Sequence, residues 1–187
     1  MLTLAEIWQA ITGQETSHPG AEGVHFEDVV IDSRLAKKGT LFIALRGEKD
    51  DGHDYVLDAL ERGASGAIID RVVDGAPLTL DTTQQPLAPA TYPLTLPVCL
   101  LVNDALKALQ AMAARHRRRF DVRVIGVTGS IGKTTTKETI YSVLSKGFPT
   151  LKSEENLNNE IGLPLALLRL EERHAEVVLE MGMYGLG

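Results

Sequence analysis

The residues with the clearest chemical purpose lie between Val122 and Thr136. There an apolar run gives way to Thr128-Gly129-Ser130-Ile131-Gly132-Lys133-Thr134-Thr135-Thr136. Glycine tolerates φ > 0 and close approach of the backbone to a ligand, so Gly129 and Gly132 allow successive N–H groups to turn toward phosphate oxygens. Lys133 supplies a mobile positive charge for outer phosphates, and the Thr134 hydroxyl is placed to ligate magnesium. A helix beginning near Lys133 adds the positive end of its dipole. The pattern G-x-x-x-x-G-K-[ST] is matched incompletely, because Val127 stands at the first glycine and Gly126 falls one residue early. A phosphate cradle between a buried strand and a helix is the expectation.

Four other groups carry chemistry in their residue types. The apolar run Ala175 to Leu179 delivers Glu180, and a carboxylate at a strand end beside such a cradle can hold or orient magnesium. Asn158 and Asn159 sit in a loop ending in Gly162-Leu163-Pro164; their amides suit an uncharged polar ligand and equally stabilise turns. Asp32-Ser33-Arg34 follows a short strand, where α/β folds place ligands, yet from local sequence alone the favoured reading is a polar turn with a surface salt bridge. His53, between Asp51 and Asp54, offers one imidazole, too few for a metal centre, and a solvated loop is expected there.

The elements that must position these residues follow from periodicity and punctuation. Thr3 and Glu6 form a capping pattern ahead of Leu4, Ile7, Trp8 and Ile11 at helical spacing, with Trp8 in the core. Strands are read at 29–31, 41–45, 67–69 and 98–102, and a short helix over 55–62 closed by Gly63. Asn103 or Asp104 starts a helix whose end, Arg115 to Arg119, reads as a solvated cationic terminus that complements the dipole. The stretch 71–97 is rich in proline and threonine without periodicity and reads as an extended connection. The fold class expected is α/β: a small N-terminal α/β domain over 1–119, then the start of a P-loop α/β domain over 120–187.

With 187 residues, 44% of them hydrophobic, the chain can build a core, and a net charge of −6 argues against general nucleic-acid or membrane-surface binding. The single cysteine, Cys99, lies in an apolar run and is expected to be a buried thiol in a reducing, cytoplasmic setting. No apolar run approaches the ~18 residues of a membrane span.

In order and spacing, Asp32-Ser33-Arg34, Gly39 to Gly47, Asp51-Gly52-His53-Asp54, Thr128 to Thr135, Asn158-Asn159-x-x-Gly162-x-Pro164 and Glu180-Met181-Gly182 together strongly resemble the Mur ligases. The resemblance is to the branch that joins D-alanyl-D-alanine to UDP-N-acetylmuramoyl-tripeptide through an acyl phosphate. It implies that Ser33, Arg34, Arg46 and Gly47 bind the UDP end of the substrate, overturning the bland reading of that turn. It implies that Gly129, Ser130, Gly132, Lys133, Thr134 and Thr135 bind ATP, that Lys133 and Glu180 serve catalysis, and that Thr134 and Glu180 hold magnesium. Asn158 and Asn159 would shape the nucleotide or peptide site. Members of the family are usually monomeric cytoplasmic enzymes. Ile131 departs from the small polar residue common at its place. The sequence stops at Gly187, within the central domain, so the expectation is a part inactive by itself, with exposed strands as a route to self-association. The alternative is a non-catalytic module that binds a UDP-sugar or nucleotide.

Overall fold

The computed structural model describes residues 1–182 except 17, 19, 78, 85–93 and 155–156. Much of the proline-rich connection and Asn156 thus lie outside the described residues. The chain divides into two compact units, Met1–Met112 and Ala113–Gly187.

The first unit opens with β1 (Leu2–Thr3) and α1 (Leu4–Thr12). The expected capping box is present: Thr3 Oγ1 accepts from the Glu6 backbone N–H at 3.0 Å, and Glu6 Oε2 accepts from the Thr3 N–H at 2.9 Å. After β2 (His25–Phe26), which pairs antiparallel with β1, come β3 (Asp28–Val30) and β4 (Thr40–Ile43). Helix α2 (Val56–Glu61) leads to β5 (Gly66–Ile69), β6 (Thr79–Asp81) and β7 (Val98–Leu101). The last five strands form a parallel sheet of order β3-β4-β5-β7-β6. Every residue of β4 and β5 is buried, as near-continuous apolar runs in a parallel sheet require.

Register explains the packing of this sheet. Val30, Phe42, Ala67 and Cys99 are neighbours across four strands, so they share one face, and they form a core cluster with Val56 and Ala59 of α2. A large Phe42 beside small Ala67 and Cys99 leaves room for the helix. Cys99 is wholly buried, and burial pushes its thiol up to about 11. Helix α3 (Ala105–Arg117) starts at Asp104, whose Oδ1 accepts from the Lys107 N–H at 2.9 Å.

The second unit contains β8 (Arg123–Val127), α4 (Lys133–Leu144), β9 (Thr150–Lys152), α5 (Gly162–Leu168) and β10 (Glu176–Glu180). The three strands are parallel in the order β8-β10-β9. Central β10 is buried along its whole length, and period-two alternation divides it between the faces. Val177 and Leu179 pack with Ala166 and Leu170 on the α5 side, which leaves Glu180 on the opposite face, toward α4.

One expectation fails here. The strand before the glycine loop is not buried: β8 is an edge strand with Arg123, Val124 and Gly126 exposed, and only Val127 is enclosed. A β-branched run reports strand propensity but not whether both faces find cover. The end of α3, expected to be solvated, is only partly so: His116 is buried with Nε2 3.0 Å from the Leu170 carbonyl, and Arg117 donates to the carbonyls of Phe120 and Val122, beyond the helix, at 2.8 and 2.9 Å.

Candidate functional sites

In the second unit the chemistry gathers at the carboxyl ends of β8 and β10. β8 runs directly into the loop 128–132, where Gly129 and Gly132 have φ of 142° and 80°, values that residues with a Cβ rarely adopt. Gly132 is the N-cap of α4, so the unsatisfied first N–H groups of a twelve-residue helix face the loop. Lys133 Nζ folds back to the Gly129 carbonyl at 2.8 Å, which closes the loop around its own backbone. Ser130 and Thr135 are exposed beside it, and Ile131 is 96% exposed, so an apolar side chain there costs the loop no packing.

Glu180 is brought to this loop from the other strand. Its Oε2 accepts from Thr134 Oγ1 and its Oε1 from Asn158 Nδ2, both at 2.9 Å. Burial pushes the carboxyl pKa up, but those two hydrogen bonds and the charges of Lys137 and Lys133 outweigh it and hold the pKa below the ordinary value. The backbone around it is pinned, with Met181 N–H donating to the Val127 carbonyl at 2.9 Å and Gly182 N–H to the Asn158 carbonyl at 2.7 Å. One ionised carboxylate and one hydroxyl are hard oxygen donors of the kind magnesium takes from protein when phosphates and water complete its shell. Among the described residues no cluster of three His, Cys, Asp or Glu side chains could hold a metal.

Asn159 does not join this group. Its Oδ1 accepts from the N–H groups of Ile161 and Gly162, at 3.2 and 2.8 Å, and so caps the turn into α5. Gly162 is required there, since a Cβ would lie 2.4 Å from Leu157 Cα. Of the two readings open for the asparagines, Asn158 reaches the carboxylate and Asn159 makes the turn.

The first unit holds a cavity of about 800 Å³ above the carboxyl end of β3, lined by Asp32, Ser33, Arg34, Tyr55, Asp58 and Arg62 among others. Asp32 caps a single helical turn by accepting from the Arg34 N–H at 3.0 Å and grips the guanidinium through Nε at 2.9 Å and Nη2 at 2.6 Å. That fork does not use Nη1. Arg62 is held through Nε alone, 2.9 Å from both carboxylate oxygens of Asp58. Two oriented guanidinium groups on one cavity suit an anion with more than one oxygen cluster.

Arg46 and Gly47 belong to the adjoining turn rather than to the cavity lining. Gly47 N–H donates to the carbonyl of Asp50, itself a lining residue, while Arg46 Nη2 pairs with Asp70 at 2.8 Å. Behind them sits His53, and the expectation of a solvated loop is wrong: it is 2% exposed. The Asp70 N–H donates to Nε2 at 3.1 Å, so Nδ1 carries the proton and donates to Asp51 at 2.6 Å. The imidazole is a structural bridge between β5 and the turn. Sequence reasoning also passed over Tyr55, Asp58 and Arg62. An i,i+4 Asp–Arg pair is the only local signal, and it reads as a surface ion pair until the fold sets α2 beside the Asp32 turn.

A glycine loop feeding a helix N-terminus, with a carboxylate delivered by the neighbouring parallel strand, defines a P-loop α/β protein. Two models of one family match the chain, the Mur ligase family catalytic domain over residues 25–117 and the Mur ligase middle domain over 127–187. The chain belongs to the Mur ligase family. It is 41% identical over 167 residues to the UDP-N-acetylmuramoyl-tripeptide--D-alanyl-D-alanine ligase of Synechocystis, an alignment covering 89% of this chain and 33% of that protein. Among solved structures it is similar to MurF from Acinetobacter baumannii (TM-score 0.77, 33% identity, 99% of this chain and 36% of that one). It is also similar to the MurF ligase of Thermotoga maritima in complex with ADP (TM-score 0.64, 32% identity, 83% and 32%). The chain therefore spans about a third of the length of the curated relatives it matches.

Proposed function

We propose that this chain carries the nucleotide-sugar and ATP sites of a cytoplasmic ligase that joins D-alanyl-D-alanine to UDP-N-acetylmuramoyl-tripeptide in peptidoglycan precursor synthesis. Residues 1–119 hold the UDP end of the substrate and residues 120–187 begin the ATP-binding domain. The observation that carries the reading is the meeting of Lys133, Thr134 and Glu180 at one loop mouth, from a helix and a strand 46 residues apart at the Thr134–Glu180 bond.

The reaction moves the terminal phosphoryl group of ATP to the tripeptide carboxylate, and the dipeptide amine then displaces phosphate to form the amide. The backbone N–H groups of 129–132, with Ser130 and Thr135 beside them, cradle the phosphates. Lys133 leaves the Gly129 carbonyl to meet the charge that develops on the transferring group. Thr134 and Glu180 would hold magnesium, which when bound would neutralise phosphate charge. Asn158 keeps the Glu180 carboxylate aimed, and Asn159 keeps the loop that carries Asn158. In the first unit Ser33, Arg34 and Arg62 take the UDP end, with Arg46 and Gly47 shaping the turn that bounds it.

Because the chain spans about a third of its relatives, binding rather than turnover is the test. Calorimetric titration is expected to show this chain binding UDP-N-acetylmuramoyl-tripeptide and, separately, magnesium-ATP. Failure of folded protein to bind the nucleotide sugar would remove the assignment of Ser33 and Arg34. Nucleotide-sugar binding with no ATP binding would point to a non-catalytic module.

A further inference from the structure

We propose that Lys137 is a positioning residue for the metal-nucleotide site, acting on Glu180 through Ser153 without touching the ligand. The inference rests on the reading of Thr134 and Glu180 as the magnesium-binding pair.

Lys137 lies one helical turn beyond Lys133 on the same face of α4 and is wholly buried. A buried ammonium is costly unless its donors are used, and an uncharged side chain of the same length would fill the space at no such cost. Its Nζ donates to the Ser153 carbonyl at 2.9 Å and lies 3.3 Å from Glu138 Oε1. Glu138 already has a cation of its own, since its other oxygen meets Lys152 Nζ at 2.5 Å. Neutralising Glu138 is therefore not the purpose of Lys137.

Ser153 is the informative partner. It is fully buried, follows the last residue of β9, and its N–H still continues the ladder by donating to the Val178 carbonyl at 3.0 Å. Its Oγ accepts from the backbone N–H of Glu180 at 2.9 Å. Helix α4 thus grips the end of β10 twice. Thr134 holds the Glu180 carboxylate directly, and Lys137, three residues later, holds the Glu180 backbone through Ser153. The carboxylate is fixed at both its tip and its root. The second fixed point also sets where the loop to Asn158 departs, and Asn158 supplies the other bond to the same carboxylate.

The test is titration of the chain with ADP, with and without magnesium, in wild type, Lys137→Met and Ser153→Ala. Wild type is expected to bind ADP more tightly with magnesium. Lys137→Met is expected to lose about 10- to 100-fold of that gain, as loss of an outer support of a metal ligand does. Metal-free ADP affinity should stay unchanged, while the melting temperature is expected to fall, because the buried Ser153 carbonyl loses its Nζ donor. Ser153→Ala, which removes only a hydroxyl, should lose in the same direction and carries the test if Lys137→Met fails to fold. Equal loss with and without magnesium, or no loss in a folded variant, would overturn the role of Lys137. Absence of any magnesium gain in wild type would overturn the metal assignment itself, and the inference with it.

Discussion

The two units hold their charged groups by opposite means. In the first, each guanidinium on the cavity is already neutralised by an aspartate close in sequence, and Arg34 is 80% exposed. In the second, the carboxylate that matters is 5% exposed and held by a hydroxyl and an amide, while its nearest cations make hydrogen bonds to backbone carbonyls. The difference separates two kinds of recognition. A ligand entering the first unit must compete with Asp32 and Asp58 in water, so its gain per contact is small and spread over several residues. A ligand entering the second meets a carboxylate that was fixed before it arrived, so single residues there carry more.

The largest effect that would break this contrast is at Lys133. Lys133→Ala removes the only side-chain cation of the loop 128–132 and α4's first turn, and nucleotide affinity in calorimetry is expected to fall about 100-fold, the upper end for a hydrogen bond to a charged group. Binding of the nucleotide sugar should be unchanged. A loss confined to less than a few-fold would mean that the backbone cradle alone does the work. Smaller effects are expected at Arg34→Ala and Arg62→Ala, each about tenfold on nucleotide-sugar affinity and each shrinking as salt is raised, because the paired guanidinium groups are partly exposed. Salt-independent losses would show instead that these arginines act by packing along the cavity wall.

How much of this is legible in the sequence follows the same division. The loop, its lysine and the strand delivering Glu180 are contiguous patterns, so local reading reaches them, and the capping box of α1 and the buried Cys99 are equally local. What the sequence could not disclose was pairing over distance. β8 reads as buried because its residues are apolar, yet strand order leaves it at an edge. His53 reads as solvated because one imidazole among acids makes no metal centre, yet the backbone of Asp70 supplies the partner that lets an imidazole be buried. Arg62 reads as half of a surface pair until α2 is set beside the Asp32 turn. Lys137 carries no motif at all, and only its burial beside Ser153 distinguishes it from any helix lysine.

The smallest expected effect concerns acid, and it bears on what holds the first unit's turn. The His53 backbone N–H, then the His53 ring, and then Arg71 hold the Asp51 carboxyl well below the usual range against the pull of burial. A carboxyl lowered on folding contributes stability that is fully present above its unfolded value near 3.8 and disappears as the pH falls through the folded value. Thermal melts of wild type are therefore expected to be insensitive to this group from pH 7 to about 5 and to drop below about pH 4. Asp51→Asn keeps an acceptor for the His53 N–H but carries no charge, so it should lower the melting temperature at pH 7 and narrow the gap between pH 7 and pH 3. If Asp51→Asn keeps the wild-type dependence on pH, the acid sensitivity lies elsewhere. The Arg46 to Asp51 turn would then be held by its backbone bonds, and the contrast between the two units would narrow to the arginines alone.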